Sequence, residues 1–595
     1  MRTAVLTWLT FVFAVYCSLD SSNSHDSYLM SNAMFSLETE ELLKAMAATS
    51  SHKIAMLNVH ETEAKSAVLA NATHAVNATE RHAVNATELH ASNETTAASS
   101  KSPSAKIAAT TAAVEWTPLM RYILSQNEVA SYPSGMQDKY PFWRKTLRYD
   151  GEKRFSLRKT ETPPNILLFN IESLRAKEVG VLGGRAKKAQ YNQTVTPFLD
   201  TLSRSGVLFR QHYSPCTQTS RSLMTTLFGV MPMLSKDNAV KMFPRTKLRL
   251  RSLPQLLTAH RDYRNVFWSA VDITWDGWNS FLTHHGFNEL FDQHAVLKLL
   301  SPESRARIKP SDTFGWGRHD WISLEALEGF LEQEQQASSK RPLFMDIYTI
   351  STHDPWKLPD GFSPSTNYSA FLTEHNEKFV HSVNYVDQQL ERFFARARRK
   401  GLLNNTIVLI EGDHGNGFME HNNPSVVASE VFEEMSHIPF LLVADDLLDA
   451  ADRGRVVDDT TSQMDLLATV ADMLDIRNFT QHSMGQSLMR RPAAGDPELR
   501  PALLENPFAG TTKGLKFGDL KLSRRGSGRF DVYNLTIDPD ERAPVESGQL
   551  NGDTGKPLGS VSPVTAAALQ FVDRAIGLAQ FMYDSNGFMP PDTAA

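Results

Sequence analysis

Three continuously apolar segments constrain the fold of this chain more than any other feature. Residues 165–171 read NILLFNI, residues 343–350 read LFMDIYTI and residues 406–410 read TIVLI. Apolar runs of this length are typical of strands buried on both faces of a parallel sheet. Residues 383–400, between the last two runs, have a helical period and end just before a glycine. Strands that alternate with helices predict an α/β domain with a mainly parallel sheet, in which functional groups collect where the strands end.

Polar side chains follow each of these strands closely. Glu172 comes directly after the first, His353 lies shortly after the second, and Asp413 and His414 follow the third. A single Glu or His at a strand end is more often structural. An Asp-His pair after a buried strand is more specific, because carboxylate and imidazole side by side suit a hard or borderline divalent cation. The pattern predicts a metal site with Glu172, Asp413 and His414 among its ligands.

A hydroxyl-rich segment, SPCTQTSRSLMTTLFGVMPM at residues 214–233, offers a fourth ligand. Its polar half leads into a short apolar helix that Gly229 ends. Helix N-termini favour an oxyanion, a phosphate or a sulfate, through unpaired backbone N–H groups and the helix dipole. The same residues also suit an ordinary N-cap. Beside a metal ion, a threonine of this segment, Thr217 or Thr219, would complete the ligand set and become an activated nucleophile.

Composition and the N-terminus bound the class of protein. A chain of 595 residues with 41% hydrophobic residues can bury a large core, and a formal charge of -6 without a long basic block predicts no nucleic-acid partner. Residues 1–20 are typical of a secretory signal peptide, because the apolar run at residues 4–17 is short for a bilayer span of ~20 residues. The alternative is an uncleaved anchor, which would be the one route to membrane association.

Residues 21–115 are predicted to form a disordered, glycosylated stalk. They are rich in Ala, Ser, Thr, Asn and His and poor in aromatic residues, so they bury too little surface to offset the entropy of ordering. The heptapeptide HAVNATE occurs at residues 74–80 and again at 82–88. Glycosylation sequons of this stretch lie at Asn71, Asn77, Asn85 and Asn93. These features predict a secreted, extracellular or lumenal protein, or alternatively one that its N-terminal segment anchors in a membrane.

Longer motifs resemble the sulfatase domain of the alkaline phosphatase superfamily. They are PNILLFNIESLR at 164–175, TPFLD at 196–200, GVLF at 206–209, NTIVLIEGDHG at 405–415, DLLAT at 465–469 and YNLTIDPDE at 533–541. The resemblance implies an alkaline phosphatase-like sandwich, in which a mainly parallel central sheet lies between helices, with a small C-terminal α+β part. It also implies a connecting segment at residues 116–162, a catalytic domain at 163–490, and a C-terminal subdomain and tail at 491–595.

Departures from the sulfatase pattern make the chain more similar to the branch of lipoteichoic acid synthases and phosphoethanolamine transferases. Sulfatases carry C-x-P-S-R, whose cysteine becomes formylglycine, but here Gln218 stands where the proline belongs and Arg221 comes one residue late. The branch uses a single glutamate, a threonine nucleophile within T-S-x-S, and an Asp-His pair. The resemblance therefore implies Thr219, rather than Thr217, as the nucleophile, and Cys216 as a buried apolar neighbour.

The resemblance also implies a role for each candidate site residue. A divalent metal ion (Mn²⁺, Zn²⁺ or Ca²⁺) would be bound by Glu172, Thr219, Asp413 and His414. His353 lies in the segment STHDP at 351–355, which resembles the family's T-x-H-x-P motif with Ser351 in place of its threonine, and would bind the transferred group or protonate the leaving oxygen. Arg221 is either an anion clamp, which we favour, or a solvated helix residue.

Two other stretches have open interpretations. His421 and His437 could extend the centre to a second metal ion, although one metal ion is the simpler account. Residues 316–320, with the sequence WGRHD, either line the substrate pocket or begin the helix that Ile322 continues.

Three functions remain open on this basis. The first is a secreted, metal-dependent hydrolase that cleaves phosphate or sulfate esters of a small molecule or glycan through a covalent threonine intermediate. The second is a phosphoglycerol- or phosphoethanolamine-type transferase, and the third is a non-catalytic binding protein on the same fold. A threonine ester lacks the aldehyde exit that a formylglycine hydrate has, and it needs a second in-line attack. Phosphate esters therefore fit the predicted site better than sulfate esters.

Overall fold

The computed structural model describes residues 144–146, 151–233, 250–337, 341–421, 430–477, 480–491, 501–506 and 512–585. All of these residues belong to one compact unit, Ser102–Ala595. The predicted signal peptide and the predicted stalk lie outside the described residues. No helix in the described part combines the length and the apolar character that crossing a membrane requires.

The strands of the described part are numbered in chain order. They are β1 (Arg144–Thr146), β2 (Asn165–Ile171), β3 (Val207–Tyr213), β4 (Arg264–Ser269), β5 (Glu289–Phe291), β6 (Thr313–Phe314), β7 (Gly317–Arg318), β8 (Leu343–Tyr348), β9 (Thr406–Gly412), β10 (His437–Val443), β11 (Arg455–Ser462), β12 (Thr480–Ser483), β13 (Ala502–Asn506), β14 (Thr512–Phe517), β15 (Leu520–Arg524), β16 (Arg529–Asn534) and β17 (Glu546–Gln549).

The helices are numbered in the same way. They are α1 (Arg185–Tyr191), α2 (Pro197–Leu202), α3 (Thr219–Phe228), α4 (Leu253–Arg261), α5 (Trp278–His284), α6 (Ala295–Leu299), α7 (Pro302–Ala306), α8 (Asp320–Gln336), α9 (Glu377–Arg399), α10 (Glu433–Ser436), α11 (Leu466–Met473) and α12 (Pro563–Ser585). Short 3₁₀ helices cover Ala176–Glu178, Ser203–Ser205, Trp275–Gly277, Pro310–Asp312, Ser369–Phe371, Ala450–Asp452 and Gln463–Asp465.

A mixed sheet of eight strands forms the centre of the fold, in the order β11, β3, β10, β9, β2, β8, β4, β5. β2 pairs in parallel with both β8 and β9, and β4 pairs in parallel with β8 and β5. β11 and β3 are also parallel, whereas β10 runs antiparallel to both of its neighbours, β3 and β9. The prediction of an α/β fold with a mainly parallel central sheet is therefore confirmed.

The three apolar runs form adjacent strands at the middle of this sheet. Residues 165–171 form β2 over their whole predicted length. β8 ends at Tyr348, shortly before its run does, and β9 continues past its run to Gly412. α9 begins at Glu377, well before residue 383, because the buried side chains of its first turns extend its apolar face.

The alternation of side chains along β2 explains why both faces of the sheet carry helices. Ile166 and Leu168 belong to one hydrophobic core, which also contains residues of α3 and α11. Leu167 and Phe169 belong to a second core on the opposite face, where the ring centroids of Phe169 and Phe393 of α9 lie 5.8 Å apart. Burying each side chain of this size contributes roughly 1.5–3 kcal/mol. A strand buried on both faces is therefore apolar at most positions, as β2 is from Ile166 to Phe169.

An antiparallel sheet, in the order β13 to β17, forms the C-terminal part, and α12 packs against β14 and β15. This part contacts both ends of the segment 214–233. The N–H of Glu505 donates to the carbonyl oxygen of Pro215 at 2.8 Å, and Tyr583 Oη donates to that of Met231 at 2.6 Å. The predicted small α+β part is confirmed, and it supports the segment that carries the predicted nucleophile.

Described residues of the predicted connecting segment pack onto the catalytic domain. β1 pairs with β12 in an antiparallel bridge. Phe155 is buried in the same core as α3, with its ring edge-on to that of Phe209 at 6.3 Å between centroids. Arg154 forms an ion pair with Asp459. These contacts extend the folded domain upstream of residue 163.

Candidate active site

Three of the predicted metal ligands converge at the carboxyl ends of β2 and β9. One carboxylate oxygen of Glu172, one of Asp413 and one ring nitrogen of His414 all lie within 4.8 Å of one another, and all three residues are buried. Glu172 follows β2, whereas Asp413 and His414 follow β9, and these strands are parallel neighbours. Parallel strands end at the same edge of a sheet, so residues far apart in the chain come together there.

Thr219 adds a hydroxyl to this cluster. It is the first residue of α3, and its Oγ1 donates to Glu172 Oε2 at 3.2 Å and lies 3.2 Å from His414 Nε2. Thr217 is buried instead, and its hydroxyl has no hydrogen-bond partner within the described part of the chain. The structure thus brings Thr219 to the side chains of Glu172 and His414.

The start of α3 differs from an ordinary capped helix. The N-cap residue, Gln218, makes no side-chain hydrogen bond to the helix that follows. Its Oε1 instead accepts a hydrogen bond from the Arg221 guanidinium at 3.1 Å. Gly229 ends the helix in the left-handed region, with φ 66°, as its sequence predicts. The first backbone N–H groups of α3 therefore have no side-chain cap, and they lie beside the Thr219 hydroxyl.

Additional hydrogen bonds orient the ligands. His414 Nδ1 donates to the carbonyl oxygen of Gly415 at 2.8 Å, which leaves the lone pair of Nε2 directed into the cluster. Asp413 Oδ1 accepts from the N–H of Ser173 at 2.8 Å and from that of His414 at 2.7 Å. The other oxygen of Asp413, Oδ2, is buried and has no hydrogen-bond partner among the described residues. A buried acceptor of this kind needs a partner, and a cation would supply one.

Electrostatics of the cluster also favour a cation. Burial raises the pKa of the Asp413 carboxyl, and the charge of Glu172 raises it further. Burial acts in the same direction on Glu172, but the charges of His353 and His414 outweigh it and lower its pKa. Burial lowers the pKa of His414 itself. Two buried carboxylates, an imidazole and a hydroxyl are a donor set that fits a hard or borderline divalent cation.

His353 lies beside the cluster, in the loop after β8. Its Nδ1 donates to the carbonyl oxygen of Asp354 at 3.0 Å and lies 2.9 Å from Oδ1 of the same residue. Burial lowers the pKa of His353, but the hydrogen bond to Asp354 and the charge of Glu172 more than offset burial and raise the pKa to about 9. A protonated imidazole at this position is suited to bind an anion or to give a proton to a leaving oxygen.

Arg221 is buried, so the alternative of a solvated helix residue is wrong. Nη1 donates to the carbonyl oxygen of Met233 at 2.7 Å, and Nε donates to Gln218. Its charge also acts on Cys216 and on Tyr583 of α12. These contacts lie on the side of α3 that meets the C-terminal part. The anion-clamp role of Arg221 stays a prediction.

Cys216 is a free, buried cysteine. Burial raises the pKa of its thiol, and the charge of Glu505 adds to this effect. A neutral, buried thiol is chemically inert at ordinary pH. The position of Cys216 therefore matches that of an apolar neighbour to the helix start.

Neither His421 nor His437 extends the metal cluster with a free ring nitrogen. Both nitrogens of each ring already have partners. These partners are Glu434 Oε1 and the Asp540 carbonyl oxygen for His421, at 2.6 and 3.0 Å, and the Arg210 carbonyl oxygen and Glu433 Oε2 for His437, at 2.8 and 3.1 Å. The structure gives no support to a second metal ion at these two histidines.

Residues 316–320 begin a helix and lie beside His353, whereas their role in lining the substrate pocket stays a prediction. Trp316 packs against the imidazole of His353, with ring centroids 4.4 Å apart. Asp320 is the first residue of α8, which thus begins before Ile322. The segment both contacts a candidate catalytic side chain and starts a helix.

Two side chains that hold the backbone of the cluster in place were not predicted from the sequence. Gln463 Nε2 donates to the carbonyl oxygen of Asp413 at 2.9 Å, and Thr352 Oγ1 donates to that of Glu172. Both polar residues are buried. The S-x-x-D pattern at residues 462–465 forms a capping box and signals a helix start at Gln463. That signal carries no information on which distant carbonyl the glutamine reaches.

Comparison with solved structures supports the fold. A protein of the alkaline phosphatase superfamily from Vibrio parahaemolyticus superposes with a TM-score of 0.51 at 19% identity, covering 76% of this chain and 94% of that one. The lipoteichoic acid synthase LtaP from Listeria monocytogenes also gives a TM-score of 0.51, at 15% identity, covering 72% of this chain and 94% of that one. At these identities the likeness establishes the alkaline phosphatase-like fold, as the sequence motifs implied.

Sequence comparisons agree with both the family and its branch. The chain is 21% identical over 307 residues to the lipoteichoic acid synthase-like protein YvgJ of Bacillus subtilis (strain 168), covering 50% of this chain and 46% of that protein. It is 22% identical over 351 residues to the lipoteichoic acid synthase of Staphylococcus saprophyticus, covering 55% and 48%. The chain thus spans about half the length of these relatives. A family model described as sulfatase matches residues 164–476, more than half of the 595 residues. With this match and the ligand cluster at the ends of β2 and β9, the chain belongs to the sulfatase family.

Proposed function

We propose that this chain is a metal-dependent phosphotransferase that carries a phosphorus-containing group on Thr219 before it passes the group to an acceptor. The observation that carries this proposal is the position of the Thr219 hydroxyl, at the start of α3 and 3.2 Å from both Glu172 Oε2 and His414 Nε2. The relatives named as lipoteichoic acid synthases support group transfer over hydrolysis, at 21% and 22% identity.

Glu172, Asp413 and His414, together with Thr219, would hold the metal ion. When bound there, a divalent cation supplies a lower pKa for the threonine hydroxyl and neutralises negative charge on the transferred group. The imidazole in the donor set favours Mn²⁺ or Zn²⁺ over Ca²⁺, because Ca²⁺ prefers oxygen ligands throughout.

The proposed reaction has two in-line steps. In the first, Thr219 Oγ1 loses its proton to solvent and bonds to phosphorus, the bond from phosphorus to the leaving alcohol breaks, and His353 gives its proton to the leaving oxygen. In the second, an acceptor alcohol bonds to the same phosphorus and gives its proton to His353. Thr219 Oγ1 then leaves and takes a proton from solvent. The uncapped N–H groups at the start of α3 stabilise negative charge on the group in both steps.

A phosphate ester suits this site better than a sulfate ester. Cys216 is buried and lies outside the C-x-P-S-R pattern, so a formylglycine with its aldehyde exit is not expected. A threonine ester must be released by a second attack on the transferred atom, which phosphoryl groups tolerate. We propose a phosphate ester or phosphodiester of a small molecule or glycan as the donor. The N-terminal sequence supports action outside the cell, with the protein secreted or anchored by residues 1–20.

The covalent intermediate provides the decisive test. A donor labelled with ³²P should label the wild-type protein, and Thr219→Ala should abolish the label, whereas Thr217→Ala should keep it. Labelling that persists in T219A would show that another residue is the nucleophile. Turnover of the labelled donor in the presence of glycerol or ethanolamine should move label onto the alcohol. If the transferred group appears only on water, as phosphate from a monoester donor or as a phosphate monoester from a diester donor, the chain is a hydrolase. If no donor turns over with Mn²⁺ or Zn²⁺, the result favours the non-catalytic binding protein.

A further inference from the structure

The loop that carries His353 is held by three buried side chains outside the metal cluster. We call this set the loop clamp: His319, Asp320 and Ser351, which are 0%, 1% and 0% exposed. His319 and Asp320 lie at the start of α8, whereas Ser351 follows β8 and precedes His353 by two positions. The loop clamp therefore joins the start of α8 to the segment after β8 that carries His353.

Hydrogen bonds of the loop clamp run in both directions. Asp320 Oδ1 accepts from the N–H of Ile350 at 3.0 Å, and Oδ2 accepts from the N–H of Ser351 at 2.9 Å. In return, Ser351 Oγ accepts from the N–H of Asp320 at 3.1 Å and lies 3.1 Å from His319 Nδ1. Because each segment bonds the backbone of the other, the two cannot shift independently without breaking buried hydrogen bonds, which costs free energy.

Ile350 connects the loop clamp to His353. The N–H of Ile350 donates to Asp320, and its carbonyl oxygen accepts from the N–H of His353 at 2.9 Å. The imidazole of His353 also packs against the ring of Trp316, with ring centroids 4.4 Å apart. Residues 316–320 thus act on His353 in two ways, directly through the ring contact of Trp316 and indirectly through the backbone of Ile350.

The side chain of Asp320 makes no hydrogen bond to the start of its own helix in the described part of the chain. An aspartate at a helix start commonly accepts from the N–H groups of its own helix when it is the N-cap residue. Here His319 is the N-cap residue, and the carboxylate of Asp320, the first helical residue, accepts from N–H groups of the segment that follows β8. A buried carboxylate is costly unless hydrogen bonds or charges compensate it. Here the loop N–H groups and the positive end of the α8 dipole provide the compensation. The hydrogen bonds that the structure describes for this carboxylate thus all go to the loop of His353.

We infer that Asp320 is a positioning residue for His353, which fixes the imidazole relative to Thr219 and Glu172 without touching the reacting atoms. The inference rests on the proposed function only in the role of His353. Displacing a catalytic group by about 1 Å can lower the rate roughly 100-fold. Replacing Asp320 should therefore reduce turnover through His353 and not through the metal ligands.

A double-mutant cycle tests this inference with the full chain and a ³²P-labelled donor. Asp320→Asn should lower kcat by roughly 10- to 100-fold, within the range that misplacement of a catalytic group produces. In a protein that already carries His353→Ala, adding Asp320→Asn should lower kcat no further. The metal affinity of the D320N protein should remain that of the wild type. Glu325→Gln is the matched control, because Glu325 also lies on α8 but accepts from Arg307. Losses from D320N and H353A that multiply, or an H353A protein with full activity, would overturn the inference.

A second readout does not depend on activity. In protein labelled with ¹³C-histidine, the ring signal of His353 is the one that disappears in H353A. Asp320→Asn and the milder Ser351→Ala should both move this signal, and E325Q should leave it in place. An unmoved signal in the two clamp variants would overturn the inference, whatever the outcome for Thr219 labelling. A moved His353 signal in a protein that never labels would instead leave the loop clamp standing and reject the proposed function.

Discussion

The hydroxyl oxygen of Thr219 lies 3.2 Å from Nε2 of His414, although 195 positions separate the two residues in the chain. The contact arises because α3 begins at the same edge of the central sheet at which β9 ends. It selects Thr219 from a segment that offers several hydroxyls and one thiol. The lone pair of His414 Nε2 is available there because Nδ1 donates to the Gly415 carbonyl oxygen.

Metal binding should stabilise the protein measurably. Glu172 and Asp413 repel each other in a buried cluster, so a cation that binds only the folded state should raise the free energy of unfolding by about 2.7 kcal/mol at 100 times its Kd. Asp413→Asn should lose this stabilisation, while its metal-free form is at least as stable as that of the wild type. Calorimetry of chelator-treated protein, with and without Mn²⁺ or Zn²⁺, measures both.

A buried carboxylate outside the cluster offers the control for this experiment. Asp346 accepts from Asn170 at 2.7 Å, and burial raises its pKa to about 8. Asp346→Asn should therefore keep the metal-dependent rise in melting temperature. A D413N protein that responds to metal as strongly as the wild type would contradict the ligand assignment.

His353 should make the stability of the metal-free protein depend on pH. Its pKa is about 9 in the folded protein, against about 6.5 in an unfolded chain. Because the folded state holds the proton more tightly, the contribution is fully present below pH ~6.5 and is lost as the pH rises through ~9; it amounts to at most about 3 kcal/mol. Denaturant titrations between these pH values should show the loss in the wild type and not in His353→Gln. His375, whose side chain is 46% exposed, provides the control substitution His375→Gln. Identical profiles for the wild type and H353Q would refute the assignment.

Lys521 should be essential for stability. Its side chain is 0% exposed and lies 3.0 Å from Glu433 Oε1 and 3.2 Å from Glu541 Oε1. Lys521→Met would leave the buried carboxylate of Glu541 without this counterion, which should lower the free energy of unfolding by about 3–5 kcal/mol. Lys513, which pairs with Asp573 at 3.3 Å and is partly exposed, should cost under about 1 kcal/mol when changed to Met. Equal losses in the two variants would contradict the prediction.

Lys521→Met should also weaken metal binding. The carbonyl oxygens of Glu434 and Met435, next to Glu433, accept from the N–H groups of Asn416 and Gly415. These bonds fix the turn that directly follows Asp413 and His414. Lys521→Met removes the ion pair with Glu433 and should loosen this turn, which should raise the Kd for metal. Titration calorimetry at a temperature where K521M is folded measures the change, and an unchanged Kd would separate this ion pair from the metal site.

Cys216 should remain an unmodified cysteine. Its burial and the sequence around it predict no conversion to formylglycine, so peptide mass spectrometry should find a thiol that an alkylating agent reaches only after unfolding. Cys216→Ala should keep most of the wild-type turnover. A formylglycine at position 216, or loss of activity in C216A with the fold intact, would indicate that residue 216 is the nucleophile.

Local sequence was enough for the parts of the fold that depend on continuous burial. The run at residues 165–171 predicts β2 with its correct limits, because a strand covered on both faces is apolar over most of its length. The antiparallel direction of β10 was not predictable, since an apolar run such as HIPFLLV carries no signal of the direction in which the strand runs. Gln463 and Lys521 were missed for a similar reason, because their partners lie on distant segments.

The sequence by itself determined the fold class, the family and the side chains that follow the central strands, since periodicity, strand length and motif order are properties of neighbouring residues. Tertiary structure alone decided which hydroxyl meets Glu172 and His414, the buried setting of Arg221, and the contact of Asp320 with the loop of His353. Those features depend on strand register and on where a helix begins in space, which only the packing of the whole domain sets.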